Sequence, residues 1–481
     1  MTTSISALLI KSFQQIIGEN NVLIDLPDRI VYECDAETVD QGIPDLVLLP
    51  GSTAEVAQVV RLASQHQLKI IPRGAGTGLS GGATPYLGGI CLALTRMKKI
   101  MEINPQLNMV HVETGITNVE VSKACLRYGL QFPCDPSSQL ASTIGGNIAE
   151  NAGGAHTLKC GTTGAHVNGI VMVNAIGDIV TLGQKFNNPL DLDFLHLVIG
   201  SEGTLGIVCE AYLNITAIPQ SIETAVVYFD SLEQAAYVVS DIIAHGIIPG
   251  ALELIDDVTI KATEASFNLG LNTEAEAMLL IELDGSCNRV FTEKTQITEI
   301  LTQHTIISMQ WAKTASDRQN LWKARKSAFA SLGRLASHGY VLDGVIPRSK
   351  LAIAISLIRQ IANKHDLKVA NVYHAGDGNL HPCLLFNKSN PNVLNRVLIA
   401  AREILLVCLD LGGTLSGEHG IGLEKLWEMN DAFTSDTIDF MQTIKNVFDP
   451  RDLFNPGKVL PNPKLCGESR IDNLARFKLS C

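Results

Sequence analysis

Apolar runs in the first part of the chain alternate with polar and glycine-rich stretches. Residues 45–50 read as a short buried strand that a proline ends. Ser52, with Glu55 three residues later, has the spacing of a capping box and predicts the start of a helix. Residues 68–71 and 90–94 read as further strands. The pattern therefore predicts a domain of short strands and helices joined by glycine-rich loops.

From Glu223 onward the pattern changes, because strands and helices follow one another without glycine-rich connections. The predicted strands are 225–229 and 278–283, and the predicted helices are 231–245, 316–336, 350–365 and 395–411. This alternation predicts a second α+β domain. With a helical apolar stripe near the N-terminus, the chain divides into residues 1–40, 41–220, 221–410 and 411–481.

The glycine-rich loop at residues 72–83 follows a predicted strand, a position where backbone amides can approach a phosphate closely. Residues 76–81 formally match the dinucleotide fingerprint Gly-x-Gly-x-x-Gly. That fingerprint must open a helix, whereas Gly82 and Pro85 follow here and disfavour one. We therefore predict a phosphate-binding loop between strands and reject a nicotinamide-binding Rossmann fold.

Two more small-residue segments follow, at residues 135–161 and 200–206. Three such loops separated by strands predict a long ligand that backbone groups hold at several places. The alternative is that these glycines form ordinary turns in a sheet-rich domain.

Two histidines flank the dipeptide Asp377-Gly378, which tolerates the positive φ of a tight hairpin turn. A hairpin closed there brings His374 and His381 beside each other on facing strands, as a divalent-metal site requires. Glu418, in a glycine-rich loop, is the candidate third ligand, and the adjacent His419 is a candidate acid or base. The alternative is a glycine-rich turn that carries two polar histidines near the surface.

Composition excludes several classes of protein. The 481 residues, of which 46% are hydrophobic and 18% charged, predict two or three well-packed domains. A net charge of −12 argues against nucleic-acid binding. Eleven cysteines without a Cys-x-x-Cys pair indicate neither an iron–sulfur cluster nor a disulfide framework, which suggests reduced thiols and a cytoplasmic location. No apolar run reaches eighteen residues, so we expect no transmembrane helix.

These motifs, in this order, resemble a known family of flavoproteins. Residues 45–215 resemble the FAD-binding domain of the vanillyl-alcohol-oxidase/cresol-hydroxylase (PCMH-type) proteins. The remainder resembles the glycolate oxidase flavin subunit and its D-lactate and D-2-hydroxyglutarate dehydrogenase relatives. The segments that carry the resemblance are 73–82, 143–154, 374–381, 417–422 and 449–458.

The resemblance implies an α+β fold throughout. It consists of a PCMH-type FAD-binding domain of two α+β subdomains, an α+β, ferredoxin-like substrate cap domain, and a C-terminal segment that returns to the flavin. Some relatives attach FAD through a histidine in the first loop; here that loop holds Thr77 and no histidine, so we expect non-covalent FAD. The implied FAD-binding residues are Arg73, Gly74, Gly76, Thr77, Gly78, Ser80, Gly81, Gly82, Asp135, Pro136, Ser142, Thr143, Gly146, Asn147, Gly161, Ile207 and Asn455.

The resemblance also implies that Arg325, in a Trp-x-x-Arg sequence, grips a substrate carboxylate, with Arg348 as a second candidate. The alternative for Arg325 is a surface arginine in a basic helix. A metal on His374, His381 and Glu418, for which we expect zinc or manganese, would lower the pKa of a substrate hydroxyl. His419 would then take the hydroxyl proton while a hydride passes to the flavin.

The leading hypothesis is an FAD- and metal-dependent dehydrogenase of a small D-2-hydroxy acid, D-lactate or glycolate. The alternatives are an electron-relay subunit of a glycolate oxidase-type complex, a dehydrogenase of a larger acid such as D-2-hydroxyglutarate, and a metal hydrolase. Electrons must leave for an external acceptor, with a quinone, a cytochrome or an iron–sulfur partner subunit as candidates. A homodimer, and peripheral membrane association through such a partner, are compatible with the sequence.

Overall fold

The computed structural model describes residues 5–183, 192–387 and 392–461. The chain divides into two compact units. In the described residues, unit 1 comprises 5–153, 161–183, 192–218 and 418–461, and unit 2 comprises 154–160, 219–387 and 392–417. No helix within these described ranges is both long and apolar enough to cross a lipid bilayer.

The helices of the described residues are Ala7–Ile17 (α1), Leu26–Arg29 (α2), Thr53–Gln65 (α3), Asn118–Cys125 (α4), Ile144–Glu150 (α5), Thr157–Cys160 (α6), Leu195–Val198 (α7), Leu232–Ala244 (α8), Asp257–Phe267 (α9), Cys287–Leu301 (α10), Ala315–Lys326 (α11), Ala328–Leu332 (α12), Leu351–Lys364 (α13), Val393–Asp410 (α14), Met429–Ala432 (α15) and Ser435–Phe448 (α16).

The strands are Val22–Leu23 (β1), Leu46–Leu48 (β2), Ile70–Arg73 (β3), Ile90–Ala93 (β4), Ile100–Asn104 (β5), Met109–Glu113 (β6), Leu130–Gln131 (β7), Val167–Val173 (β8), Ile179–Gly183 (β9), Ile207–Asn214 (β10), Thr216–Ala217 (β11), Ser221–Phe229 (β12), Ala251–Asp256 (β13), Ala277–Gly285 (β14), Ser308–Trp311 (β15), His338–Val341 (β16), Gly344–Val345 (β17), Lys368–His374 (β18) and Asn379–Phe386 (β19).

Unit 1 contains two α+β subdomains, each with its own sheet and core. The first has the sheet order β1-β2-β4-β3, and its core includes apolar side chains of α1 and α3. The second has the antiparallel order β5-β6-β10-β8-β9, and its core includes side chains of α4 and α5. In the first, the side chain of Ser52 accepts a hydrogen bond from Glu55 N, as its N-cap position predicts. Glu55 itself accepts from Gly51 N, one residue earlier than a capping box requires.

The C-terminal part of unit 1 pairs with the edge of its first sheet. Ile70 N donates to Leu453 O and Asn455 N donates to Ile70 O, which adds a short parallel bridge beside β3. Lys445 Nζ fixes this segment from α16, because it bonds both Asp449 and the Phe454 carbonyl oxygen. Residues distant in sequence therefore complete the sheet that carries the first glycine-rich loop.

Unit 2 is built on one large antiparallel sheet in the order β15-β12-β14-β13-β18-β19-β16. Its first four strands in chain order, β12 to β15, lie in the order fourth-first-third-second, which is the ferredoxin-like arrangement. Helices α8, α10, α13 and α14 form one packed layer, and α9, α11 and α12 form the layer on the other face.

Two local predictions are wrong. Residues 142–147, which the sequence presents as part of a glycine-rich loop, contain the start of α5, because the Thr143 side chain caps a helix that includes Gly145 and Gly146. The helix expected over residues 316–336 is interrupted at Ser327 and continues as the separate short helix α12.

Candidate active site

The first glycine-rich loop leaves β3 at Arg73 and turns through residues 74–89 without forming a helix, as the sequence predicts. Gly76 and Gly81 have φ angles of +71° and +78°, which side-chain-bearing residues rarely adopt. Arg73 is buried, and its guanidinium donates to Cys34 O at 2.8 Å. This contact fixes the start of the loop at the end of β3.

The second predicted FAD segment lies directly against this loop within unit 1. A Cβ atom on Gly74 would stand 2.3 Å from Thr143 Oγ1, so only glycine fits there. Thr143 in turn accepts a hydrogen bond from Gly146 N at 3.3 Å at the start of α5. Two segments separated by about seventy residues in sequence therefore meet closely, with the Thr143 side chain packed against the Gly74 backbone.

Three buried polar groups among the predicted FAD residues lack a hydrogen-bond partner in the described part of the chain. They are Ser80 Oγ, Ser142 Oγ and Asn147 Nδ2, on side chains that are fully or almost fully buried. Buried hydroxyl and amide groups normally have partners, since desolvation without one is costly. Hydroxyl and amide groups suit the phosphate, ribose and ring atoms of a dinucleotide, so these residues fit FAD.

Asn455, a predicted flavin contact, anchors the first loop in the structure. Its Nδ2 donates to Gly82 O at 2.9 Å and to Glu202 O at 2.7 Å. Lys458 Nζ donates to the same Gly82 carbonyl at 2.7 Å. Contact between Asn455 and the cofactor stays a prediction, whereas its support of the loop is a structural observation.

The remaining predicted FAD residues also lie in unit 1. Thr77 and Gly78 belong to the first loop, Asp135 and Pro136 precede α5, and Gly161 has a φ angle of +83°. Ile207 begins β10, and its side chain lies in the hydrophobic core of the first subdomain. Their contacts with a cofactor stay predictions.

Three acidic residues that the sequence did not single out lie beside the first loop. A Cβ on Gly82 would be 2.9 Å from Glu150 Oε1 and 3.6 Å from Glu202 Oε2, and Asp35 accepts from the nearby Ala83 N. Burial raises the pKa of Glu150 well above its ordinary value, and the charges of Glu202 and Asp35 add to this effect. Burial likewise raises the pKa of Glu202 to about 7.

Glu202 also holds the turn that follows Glu418 and His419. Its two carboxylate oxygens accept from Ile421 N at 2.6 Å and from Gly422 N at 2.8 Å. Glu202 adopts a φ angle of +52°, an uncommon conformation for a residue with a side chain. It is a functional candidate that only the three-dimensional structure reveals.

Asp35 offers a direct test of this buried acidic cluster. Burial, followed by the charge of Glu37, raises the pKa of Asp35 to about 7. Its contribution to stability is therefore complete below the ordinary pKa of an aspartate and is lost as the pH rises through about 7. Between pH 5 and pH 8, the free energy of unfolding should fall by about 2–3 kcal/mol more in the wild type than in Asp35→Asn, measured by urea denaturation.

The matched control for this measurement is Asp436→Asn, at an exposed position on α16. Its unfolding free energy should follow the wild-type pH dependence. A pH dependence in Asp35→Asn that runs parallel to the wild type would contradict the assigned cause.

The predicted histidine pair forms within unit 2. The hairpin pairs His374 with Asn379 and Val372 with His381, so the two histidines are diagonal neighbours on one face rather than directly opposed. Their ring centroids are 5.2 Å apart, and a nitrogen of one lies within 4.8 Å of a nitrogen of the other. They are 4% and 2% exposed, so the alternative of two histidines near the surface is wrong.

Hydrogen bonds select the same tautomer for both rings. His374 Nδ1 lies 2.8 Å from Glu253 Oε1, and His381 Nδ1 lies 3.0 Å from Leu342 O. Because both partners are acceptors, each Nδ1 carries a proton and each Nε2 carries the lone pair. Two buried imidazoles that present Nε2 match the chemistry of a divalent-metal site, so the residues fit such an ion.

Arg325 lies beside this pair. Its side chain is 4% exposed and its Nε is 2.5 Å from Glu253 Oε2, so the alternative of a surface arginine is wrong. The 3.4 Å approach of Arg325 Nη2 to His374 Nδ1 is not a hydrogen bond in this tautomer, since both atoms carry protons. One carboxylate, that of Glu253, therefore serves a candidate metal ligand and a candidate substrate ligand.

Trp322, one helical turn before Arg325, is fixed in a similar way. Its indole N–H donates to Glu282 Oε2 at 2.5 Å, and Glu282 also accepts from Thr224 and faces His156 at 3.1 Å. Burial alone would raise the pKa of Glu282, but hydrogen bonds from His156, Trp322 and Thr224 bring it below its ordinary value. Helix α11 is thus attached to the sheet at two points.

Arg348 packs against α8, in the helix layer formed by α8, α10, α13 and α14. Ser240 of α8 donates to Arg348 O at 3.2 Å, and the Arg348 guanidinium donates to Gly376 O at 3.2 Å. The cavity beside it, of about 660 Å³, has Ser240 and Asp377 among its described lining residues but neither histidine. A substrate role for Arg348 gains no support from these contacts.

Glu418 and His419 belong to unit 1, where their side chains are adjacent, with His419 Nε2 3.9 Å from Glu418 Oε1. Both side chains are largely buried. The ligand set of His374, His381 and Glu418, and the assignment of His419 as the base, stay predictions.

Comparisons with known proteins match two family models to this chain. A family model described as an FAD binding domain matches residues 44–183, and one described as FAD linked oxidases, C-terminal domain, matches residues 218–459. The chain is 40% identical to the glycolate oxidase subunit GlcD of Escherichia coli (strain K12), over 91% of this chain and 88% of that protein. It is 30% identical to D-lactate dehydrogenase of Anaerostipes hadrus, over 94% of this chain and 97% of that protein.

Among solved structures, p-cresol methylhydroxylase with substrate bound is similar with a TM-score of 0.81 and 15% identity, covering 95% of this chain and 97% of that one. This similarity confirms the predicted α+β fold with a PCMH-type FAD-binding domain. The sequence relatives confirm the prediction of an FAD-linked oxidoreductase. The chain therefore belongs to the FAD-linked oxidase family.

Proposed function

We propose that this protein oxidises a small D-2-hydroxy acid, D-lactate or glycolate, to the 2-oxo acid with the help of non-covalent FAD and a divalent metal. The observation that supports this most is the buried pair His374 and His381, with Glu253 joining His374 to Arg325. The imidazole nitrogens can bind a metal, and the guanidinium can bind a carboxylate. A 2-hydroxy acid has a hydroxyl for the metal and a carboxylate for the guanidinium.

The residues of unit 1 would hold the cofactor. Loop 73–82 would hold the pyrophosphate with its backbone amides, and Ser80, Ser142 and Asn147 would bond polar atoms of the dinucleotide. When bound, FAD supplies the hydride acceptor of the reaction. The names of the relatives, a glycolate oxidase subunit and D-lactate dehydrogenases, support the substrate class.

His374, His381 and Glu418 would hold the metal, with zinc or manganese expected because neither competes with the redox chemistry of a flavin. There it would supply Lewis-acid activation of a hydroxyl group. Arg325 would orient the substrate through its carboxylate, and His419 Nδ1 or Nε2 would accept the hydroxyl proton. Arg348 is retained only as a weaker substrate candidate, since it packs with α8.

Electrons would leave the flavin for an external acceptor, a quinone, a cytochrome or an iron–sulfur partner subunit. The second candidate function is an electron-relay subunit that binds no substrate itself. What favours it is that the GlcD relative is by name a subunit. The buried histidine pair and Arg325 favour the dehydrogenase, since a relay has no use for them.

An anaerobic visible spectrum tests the proposal directly. Purified protein should show the yellow flavin absorption and lose it on addition of D-lactate or glycolate, because hydride transfer reduces the flavin without any acceptor present. L-Lactate is the matched control, and we expect at least a tenfold slower loss with it. A yellow protein that none of these acids reduces, while D-2-hydroxyglutarate does, would contradict the small-substrate assignment; reduction by no acid would favour the relay.

A further inference from the structure

Glu253 is a buried acidic residue beside His374 and Arg325, and nothing in its local sequence singles it out. It stands directly opposite His374 in the pairing of β13 with β18. Its side chain is 1% exposed, with Oε1 2.8 Å from His374 Nδ1 and Oε2 2.5 Å from Arg325 Nε. Each oxygen of one carboxylate thus faces a different functional side chain.

The energetics of this arrangement require both partners. A carboxylate buried without a counter-charge is strongly destabilising, because it loses its hydration and gains nothing in return. The guanidinium of Arg325 is permanently protonated and supplies that counter-charge. The N–H of the His374 ring satisfies the second oxygen, which also fixes the ring tautomer.

We propose that Glu253 is a positioning residue that couples the metal ligand to the substrate-binding arginine; this inference rests on the proposed function. Through Oε1 it keeps the proton on His374 Nδ1 and so presents Nε2 to a metal. Through Oε2 it forms an ion pair with Arg325, on the Nε side of the guanidinium. The N–H groups on the two terminal nitrogens of Arg325 remain for the carboxylate of a 2-hydroxy acid. One side chain thereby sets the relative position of both ligands.

Glu253→Gln is the informative variant, because it keeps the size of the side chain but replaces one acceptor oxygen by a donor. A glutamine can still accept from His374 Nδ1, but it has no negative charge with which to pair Arg325. The measurements are the Kd for Mn²⁺ and for Zn²⁺ of chelator-stripped holoprotein, and the KM and kcat of the metal-loaded protein with D-lactate and glycolate. We expect metal affinity to fall 10–100-fold and KM to rise at least tenfold.

Glu282→Gln is the matched control. Glu282 is also a buried glutamate on the same sheet and also fixes α11, through Trp322, but it contacts neither histidine of the pair in the described contacts. The metal affinity of the Glu282→Gln variant should stay within threefold of the wild type. An equal loss of metal affinity in both variants would overturn the positioning role, because it would show that either glutamate acts only by holding α11 in place.

Glu253→Asp tests the same idea if the glutamine variant fails to fold as a yellow protein. Aspartate keeps the charge but is one methylene shorter, so it should retain more metal affinity than glutamine and less than the wild type. Wild-type metal affinity and KM in either folded variant would overturn the proposal. A wild-type protein that binds neither ion would instead overturn the metal part of the proposed function, and this outcome is distinguishable because it needs no variant.

Discussion

His419→Ala should leave FAD bound and reduce the rate of substrate-driven flavin reduction by about 10²–10⁴-fold, the range that a positioned general base contributes. The side chain of His419 is only 12% exposed and stands next to Glu418, and His419 is not among the residues predicted to bind FAD. The measurement is stopped-flow loss of flavin absorption under anaerobic conditions with saturating D-lactate or glycolate.

His66→Ala is the control for this experiment, since His66 ends α3 and is exposed. In the His66→Ala variant, the substrate should reduce the flavin at the wild-type rate. Unchanged reduction kinetics in His419→Ala would remove His419 from the mechanism, and loss of yellow colour would show that it supports the cofactor site instead.

Removal of the metal should abolish turnover and leave the protein yellow. We expect a loss of at least 10²-fold in kcat after treatment with a strong chelator, because the hydroxyl of a 2-hydroxy acid is too weak an acid for a base alone near neutral pH. Flavin content should not change, because the predicted FAD-binding residues and the histidine pair lie in different units. The checks are the flavin spectrum, the metal content and the rate of turnover of the same sample.

Addition of Zn²⁺ or Mn²⁺ should restore activity, and the ion that restores it at the lower concentration identifies the preferred metal. Mg²⁺ is the matched control, since imidazole ligands favour transition metals over it. Full activity in a sample shown to be free of metal would contradict the metal-site prediction.

Local chemistry explains why the hairpin and its histidines could be predicted. Apolar and β-branched residues on both sides of Asp377-Gly378 specify two strands and a turn, and Gly378 does adopt a positive φ of +84°. The diagonal placement of His374 and His381 could not be predicted, because it depends on the register and on the four-residue connection.

Glu253 and Glu202 escaped prediction for a different reason. Glu253 is 121 residues from His374, and Glu202 is 219 residues from the Ile421 amide that it accepts from. In the sequence each is an ordinary glutamate, in a strand or beside a glycine loop. Only the pairing of distant segments gives them their partners. The break of a predicted helix at Ser327 likewise lies at a residue with no breaker chemistry.

The pairing of residues 453–455 with β3 has a consequence for how this chain is made. Asn455 bonds Gly82 across 373 residues of sequence, so the predicted FAD loop lacks this anchor until residue 455 has left the ribosome. Residues 219–417 of unit 2 lie between Gly82 and Asn455 in the sequence. Unit 2 can therefore fold before residues 453–455 are available to pair with β3 in unit 1. Uptake of FAD should accordingly be a late, post-translational event, and a ribosome stalled shortly before residue 450 should carry a nascent chain that does not retain the cofactor.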